Sequence, residues 1–431
     1  MLDIELFRTN LQQILDSEKR RFKDLTIAQK VYDLDNKYRE ITTELQRTNY
    51  EKNKMNEEIG SLMKKGKKQE AEKLKSMAKE LNEKVNELST QEKKVIEERE
   101  EYRYKVGNII HETVPVGETE ESNEIIRSVG ITPKFKFTPL SHVDLISLID
   151  GADTKKAAEL VGSRFYYLKG DIVSLNLALI QYALNKLIGK GFIPLWTPFF
   201  VKYDIIKAAA ELADFKEQLY KIQDEDLYMI ATSEQSVAAF HYDEIIDPEH
   251  LPLKYVGVSS CFRREAGSHG KDTLGIFRVH QFEKVEQFVF CNPDDSWKIH
   301  DELMQNTEEM FQELKIPYRI VNIASGVLND NAAKKYDLEA WFPASGNYRE
   351  LVSCSNCTDY QARKLKIRMG VVGSAQKKQT VHTLNSTAIA TERTICCILE
   401  NFQNKDYSIL IPEVLQKYMN GKKVIKPKVQ E

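Results

Sequence analysis

The sequence predicts an α+β protein: a largely antiparallel sheet with helices, preceded by a long antiparallel two-helix arm. Three observations predict it. Residues 33–105 contain no proline and are crowded with Glu, Lys, Gln and Asn. Within them, apolar positions recur at alternating steps of four and three, the spacing of a coiled-coil seam. Beyond about residue 140, helix-like stretches (174–190, 293–314, 393–404) mix with strand-like runs (254–259, 285–290, 318–323) without regular βαβ repetition.

The arm has two seams. Leu34, Tyr38, Ile41, Leu45, Thr48, Lys52, Met55, Ile59 and Leu62 form the first. Ala71, Leu74, Ala78, Leu81, Val85, Leu88, Glu92, Val95, Arg99, Tyr102 and Val106 form the second. Gly66 lies between them among Lys64, Lys65, Lys67 and Lys68 and reads as a turn. The helices should fold back on each other, each roughly 45–55 Å long at about 1.5 Å per residue. Polar seam residues (Thr48, Lys52, Glu92, Arg99) weaken packing and set register. Periodicity alone leaves two uses open, a dimerisation or structural rod and a binding arm. The four lysines are likewise either a solvated tip or a phosphate contact favoured by counterion release.

The chain's 431 residues exceed one ordinary core and call for two or three domains. Residues 1–106 contain the arm, 107–140 read as a linker, 141–420 as the main globular domain and 421–431 as a basic tail. Pro115, Gly117, Pro133 and Pro139 break regular structure in the linker, which also carries the acidic run 118–124. No apolar run approaches the roughly 20 residues that cross a bilayer, so no membrane partner is expected. The start, Met1-Leu2-Asp3-Ile4-Glu5, has acid where a secretory or mitochondrial leader has base, and the expected location is cytoplasmic. Charged residues make up 29% of the chain, yet the net charge is only −3, so nucleic-acid binding would have to use local patches. The six cysteines are spread too widely for a disulfide framework.

The chemistry concentrates in residues 261–286 (CFRREAGSHGKDTLGIFRVHQFEKVE). They read as a strand, a glycine-rich charged loop and a second strand. Arg263 and Arg278, at either end of the loop, could converge on an anion, since a guanidinium fork suits phosphate. Surface salt bridging between strands competes with that reading.

This segment resembles motif 2 of the class II aminoacyl-tRNA synthetases, in the form found in the seryl-tRNA synthetase family. Three further segments follow the expected order. Residues 191–200 (GFIPLWTPFF) look like motif 1, with Pro198 as its proline; Thr232-Ser233-Glu234 is similar to the amino-acid-binding loop; 384–393 (LNSTAIATER), running on to 400–403 (ENFQ), looks like motif 3. Residues 348–363 (YRELVSCSNCTDYQAR) resemble the family's eukaryotic cytosolic branch. The resemblance covers nearly the whole chain, arm included. One Phe-Arg-x-Glu would be weak; four ordered motifs behind a helical hairpin are specific.

The resemblance implies a six-to-seven-stranded antiparallel sheet flanked by helices, and an enzyme joining serine to tRNA through seryl-adenylate. ATP is the implied substrate and Mg²⁺ the cofactor. Arg263 and Arg393 are the implied catalytic residues, stabilising charge on the transferring phosphate. Arg263, Arg264, Glu265, Arg278, Val279, His280, Gln281, Phe282, Glu350, Leu351, Val352, Ser353 and Arg393 are the implied ATP site. Within it, Glu265 accepts from the adenine amino group, and adenine lies between Phe282 and Arg393, an arrangement cation–π attraction favours. Glu350 and Ser353 match the Mg²⁺ positions, and hard oxygen ligands suit that ion. Thr232, Ser233, Glu234, Arg263, Glu286, Asn385 and Thr387 are the implied serine pocket.

The loop His269–Thr273 would meet the tRNA acceptor end, and attack would come from its 3′-hydroxyl. The implied partners are serine tRNAs, held by the arm on their long variable stem, with selenocysteine tRNA as a further substrate. Motif 1 implies a homodimer. The domains become a tRNA-binding domain (1–106) and a catalytic domain (141–420).

Two departures stand out. Ser386, Ala388 and Glu392 occupy places where motif 3 usually has glycine, and Glu392 brings a charge beside Arg393. Arg264 stands where a small residue is common.

Cys354 and Cys357 form a Cys-x-x-Cys without two further ligands nearby, so no zinc is expected. Cys396 and Cys397 read as packing, and His280 as a structural histidine. Two rivals remain. A threonine or proline enzyme of the same class is disfavoured by the helical arm and by the expected lack of a C-terminal anticodon-binding domain. A non-catalytic paralogue is disfavoured by Arg263, Glu265, Phe282, Glu350 and Arg393 all being present.

Overall fold

The computed structural model describes residues 1–209, 218–265, 274–371, 373–374 and 378–428. The chain forms two compact units, Leu2–Ile109 and Ile110–Glu431. Among the described residues no helix is long and apolar enough to cross a membrane.

The first unit is helical: α1 (Ile4–Thr9), α2 (Leu11–Arg20), α3 (Leu25–Lys64) and α4 (Lys68–Lys105). The Asp24 carboxylate caps α3, accepting from Thr26 N at 2.9 Å, so the helix starts nine residues before the periodic seam does. Its 40 residues span roughly 60 Å. Gly66, at φ +74°, turns the chain. Leu34, Ile41, Leu88 and Val95 are buried along the seam, with Tyr38, Leu45 and Tyr102 against them.

Of the polar seam residues, Thr48, Glu92 and Arg99 find partners. Thr42 Oγ1 donates to Glu92 at 2.7 Å. Asp35, only 1% exposed, accepts from Arg99 (2.7 Å) and Arg8 (2.7 Å), and Arg99 also lies over the Tyr38 ring. Burial raises the cost of the Asp35 charge, but its two arginines outweigh that and hold the carboxyl below its usual range.

The second unit is built on an eight-stranded sheet. Its strands are β1 (Glu124–Val129), β2 (Ile193–Trp196), β3 (Leu253–Phe262), β4 (Gln281–Cys291), β5 (Tyr318–Asn322), β6 (Lys334–Phe342), β7 (Asn347–Asn356) and β8 (His382–Ala390). The order across the sheet is β1-β5-β6-β7-β8-β4-β3-β2. Every pair is antiparallel except β2 with β3.

Eight strands exceed the six or seven expected. One extra comes from the stretch read as a linker: residues 124–129 pair with β5 as an edge strand despite their acidic approach. The stretch read as a basic tail is also partly built in. Val424–Ile425 pairs with Ile409–Leu410, and Ile425 is buried.

Side chains alternate across a strand, and β4 is buried on both faces. Val285, Val289 and Cys291 join the main core, which includes residues of the helices Asp171–Ile188 (α5), Ser296–Glu313 (α6) and Thr391–Asn401 (α7). Gln287 shares that face, donating to Leu303 O and Thr307 Oγ1 (both 3.2 Å) and accepting from Asn306 (2.9 Å). Phe288 and Phe290 face the other way, into a second core with Val237, Ala238, Ala362 and Leu365. That second layer stops before Glu286, and there a cavity opens on the sheet.

His300, on α6, is buried and stacks on Tyr336 with centroids 5.1 Å apart. It lies 3.1 Å from the Cys354 carbonyl, to which its Nε2–H donates. Burial pushes the imidazole down to about 4 from an ordinary 6.5. The folded state therefore holds it neutral. That stability is full above about pH 6.5 and is lost as pH falls towards 4. Between pH 7.5 and 5, wild type should lose about 2 kcal/mol that H300Q keeps. Urea unfolding at both pH values measures it; parallel losses in the two proteins would refute this role.

Candidate active site

The cavity over the sheet has a volume of about 330 Å³. Three strands furnish its floor. From β4 come Phe282, Lys284 and Glu286, every second residue. From β8 come Asn385 and Thr387; the register then shifts, Ala388 having no partner across the ladder, and Ala390 lines the cavity instead. From β7 come Ser353 and Ser355; Leu351 is the unpaired residue there, and Glu350 is brought to the same side. A bulge of this kind re-aims side chains without ending the strand.

The loop after β3 supplies Arg263 and Glu265. Arg263 Nε donates to Ala231 O at 3.2 Å, and its guanidinium lies 5.1 Å from the Phe282 ring centroid. Glu265 is buried at φ +47° and accepts from Arg278 Nε at 2.8 Å. Arg278 and Val279 line the same wall. Arg393, in the first turn of α7, donates to Glu350 O at 3.1 Å. Its guanidinium lies over the Phe277 ring at 5.3 Å, with Arg349 also on that ring at 5.2 Å.

At the other end the groups hold one another. Thr232 caps the short helix Ser233–Ala238. Glu234 accepts from Gln361 Nε2 (2.7 Å) and Asn385 Nδ2 (3.1 Å). Gln361 is buried and also accepts from Thr383 Oγ1 at 2.9 Å. Glu286, 1% exposed, accepts from Thr387 Oγ1 (3.2 Å) and pairs with Lys284 Nζ (2.6 Å).

Burial works against a charge on Glu350. Arg393, then Lys335, Arg263 and Arg278, outweigh it and hold the carboxyl below its usual range. Asp337 lies across the ladder from Ser353. It is buried, its Oδ1 has no hydrogen-bond partner, and burial pushes its carboxyl well up.

Most of the expected site residues thus meet in one cavity. Arg264, Ser233, Val352, His280 and Gln281 do not line it. Arg264 is exposed, its backbone N donating to Gln218 O. Ser233 is fully buried with an unpartnered hydroxyl, and Val352 points into the main core. His280 holds the loop, its Nδ1 donating to Arg263 O at 2.9 Å. Gln281 borders a smaller cavity elsewhere. The stretch 269–273 lies outside the described residues.

The sequence reading missed Phe277, Lys284, Lys335 and Gln361. Period-2 alternation from Phe282 to Glu286 would have found Lys284. Nothing local marks Gln361, whose reach to Glu234 depends on the fold.

The family model of the class II tRNA synthetase core domain (G, H, P, S and T) matches residues 218–402, and that of the seryl-tRNA synthetase N-terminal domain matches residues 1–110. The chain is similar to the serine–tRNA ligase of Methanosphaera stadtmanae, with 57% identity over 99% of this chain and 100% of that one. It is similar to the cytoplasmic serine–tRNA ligase of Arabidopsis thaliana at 50% identity, over 98% and 95%. The crystal structure of seryl-tRNA synthetase from Pyrococcus horikoshii superposes with a TM-score of 0.94, at 44% identity and full coverage of both chains. The chain belongs to the seryl-tRNA synthetase family.

As a seryl-tRNA synthetase of class II, it charges tRNA with serine. The N-terminal match decides between the rival amino acids, because the core model spans five specificities.

In this synthetase the buried Lys284–Glu286 pair balances charge in the cavity. Removing one partner of such a pair leaves an uncompensated charge, at a cost of about 3–5 kcal/mol. K284M should lower stability by about that much, and K284M/E286Q should recover most of it, as read by urea midpoints. An unchanged midpoint for K284M would refute the pair's structural weight.

Proposed function

We propose that this cavity holds ATP and serine side by side and joins them to seryl-adenylate before transfer to tRNA. The observation that carries the reading is the convergence of Arg263, Phe282 and Arg393 with the Glu234–Asn385 and Glu286–Thr387 pairs around one space. The Pyrococcus horikoshii relative was crystallised with ATP, which supports a nucleotide here. Adenine lies between Phe282 and Arg393, with Glu265 at its amino edge; Arg263 and Arg278 face the phosphates. Arg263 and Arg393 already lie over aromatic rings, so nucleotide binding exchanges one π contact for another.

Glu350 and Ser353 offer the hard oxygens that a magnesium ion takes. The unpartnered Asp337 Oδ1, across the ladder from Ser353, is a further hard oxygen, so the donor set fits. When bound, that ion would neutralise charge on the phosphates. Glu350 is held ionised by the surrounding cations, as a ligand must be.

Serine's ammonium faces Thr232 and Glu234, and its hydroxyl faces Glu286, Asn385 and Thr387. Its carboxylate is ionised already, so the first step needs no protein base. A carboxylate oxygen bonds to the α-phosphorus, the bond to pyrophosphate breaks, and Arg263 and Arg393 stabilise the charge. In the second step the 3′-hydroxyl of tRNA bonds to the seryl carbonyl carbon and AMP departs with the former carboxylate oxygen.

For tRNA, α3 and α4 form the gripping arm on the long variable stem, with exposed Lys64, Lys65, Lys67 and Lys68 at the tip. Serine tRNAs and selenocysteine tRNA are the proposed substrates. Ile193 (51% exposed), Trp196 (78%) and Phe200 (44%) in motif 1 are exposed apolar side chains, which supports a homodimer. The Arabidopsis relative is named cytoplasmic, which supports that location here.

Pyrophosphate exchange into ATP should require serine, with no exchange for alanine, threonine or proline. R263A should reduce serine-dependent exchange by ~10²–10³, the scale of losing one charge-stabilising donor. Exchange supported by another amino acid, or an R263A rate near wild type, would overturn the reading. Deleting residues 33–105 should leave exchange nearly intact and cripple aminoacylation; equal loss of both would contradict the arm's role.

A further inference from the structure

Glu392 breaks the glycine pattern of motif 3, and the proposed chemistry gives it no task. It is 1% exposed, in the first turn of α7, next in sequence to Arg393. Its carboxylate is hydrogen-bonded on both oxygens. Tyr166 OH donates to Oε1 at 2.6 Å; Glu283 N donates to Oε2 at 2.9 Å; the Thr391 hydroxyl lies 2.9 Å from Oε2. The Glu283 amide is the peptide link to Phe282. One carboxylate therefore ties the backbone that carries Phe282 to the helix turn that carries Arg393.

The Thr391 hydroxyl adds a second tie, donating to Glu283 O at 3.3 Å, but the packing behind Glu392 is open. A second cavity, of about 160 Å³, lies against Tyr166, Asn176, Glu283 and Glu392, and Asn176 Oδ1 has no partner there. Glu392 borders this cavity and the main one alike. Burial pushes its carboxyl up to about 7, against the pull of Tyr166 and the Glu283 amide. A carboxyl is thus placed where burial disfavours its charge, and its hydrogen bonds to Tyr166 and the Glu283 amide hold it there.

We propose that Glu392 is a positioning residue that fixes the spacing between Phe282 and Arg393, and so sets affinity for the adenine nucleotide rather than for serine. The inference rests on the nucleotide lying between those two side chains. In E392A the Tyr166 hydroxyl and the Glu283 amide lose their acceptor, and the cavity behind lets the turn shift. In E392Q one oxygen remains as an acceptor. In Y166F one donor is gone and the tie to the Phe282 backbone stays.

The test is pyrophosphate exchange on the full-length enzyme, with KM for ATP and for serine measured separately, beside F282A and R393A. E392A should raise KM for ATP about tenfold, the scale of one net hydrogen bond, with KM for serine within twofold. E392Q should fall between E392A and wild type, and Y166F should raise KM for ATP two- to fivefold. KM for ATP within twofold of wild type in E392A, while F282A and R393A raise it, overturns the inference and leaves the nucleotide site standing. Equal rises in both KM values with a lowered melting temperature overturn it too, in favour of a merely structural carboxylate. If E392A does not fold, Y166F decides, and no change in its KM for ATP overturns the inference. If F282A and R393A leave KM for ATP unchanged, the nucleotide reading itself falls, and this inference with it.

Discussion

The strict alternation of side chains along β4 is the constraint on which the site depends. Phe282, Lys284 and Glu286 look into the cavity, and Phe288 and Phe290 continue the same face under a second apolar layer. Val285, Gln287, Val289 and Cys291 look the other way, towards the helices. A slip of one residue would put Val285 into the cavity and Glu286 into the core. Gln287 guards against that slip, because its amide is satisfied on α6 only in this register. On the two strands beyond, the bulges at Leu351 and Ala388 interrupt the alternation once each. They let Glu350 and Ser353, and Thr387 and Ala390, share one side although their numbers differ in parity. A regular ladder could not collect those four positions.

The cavity is held by its own charges. Arg278 is bonded to Glu265, Lys284 to Glu286, Arg393 to Glu350, and Glu234 to the amides of Gln361 and Asn385. Groups fixed in this way are oriented before any substrate arrives, and little reorganisation accompanies charge development. Arg263 and Arg393 are the exceptions in kind. Each rests on an aromatic ring as well as on a backbone carbonyl, contacts an incoming anion can compete with. Arg263 has only a ring and a carbonyl among these contacts, whereas Arg393 adds the Glu350 carboxylate at 3.7 Å.

The arm was legible because its period repeats over two long helices, and Leu34, Ile41, Leu88 and Val95 lie where that period puts them. Its true start was not, because Asp24 ends it by a cap outside the heptad pattern. The motifs located the cavity, since residues close in sequence on one strand stay close in space. Failures came where placement depends on the partner strand or on a turn. Val352 sits between two cavity residues and points into the core. Ser233 sits between Thr232 and Glu234 and packs inward near Gly257. The edge strand at 124–129 was hidden because an acidic run leads into it and its pairing with β5 is supplied by residues nearly two hundred positions later. Gln361 was hidden for the same reason: its partners Glu234 and Thr383 lie on other elements.

In the proposed reading, the serine end of the cavity also explains how a small substrate is discriminated. Glu286 is already engaged by Lys284 and Thr387, and Asn385 by Glu234, so serine's hydroxyl completes a nearly satisfied network. Alanine would leave at least one buried polar group without its partner, and sites built to hydrogen-bond a hydroxyl reject the analogue lacking it by about 10⁴–10⁵. An apolar pocket choosing between side chains that differ by one methylene obtains only about 10–200-fold, which is where hydrolytic editing becomes necessary. The chemistry of the pocket wall therefore fits discrimination made at the binding step itself. Glu234 and Glu286 serve this discrimination only because each is pinned by a neutral amide or a lysine; a free carboxylate would accept any ammonium or hydroxyl that reached it.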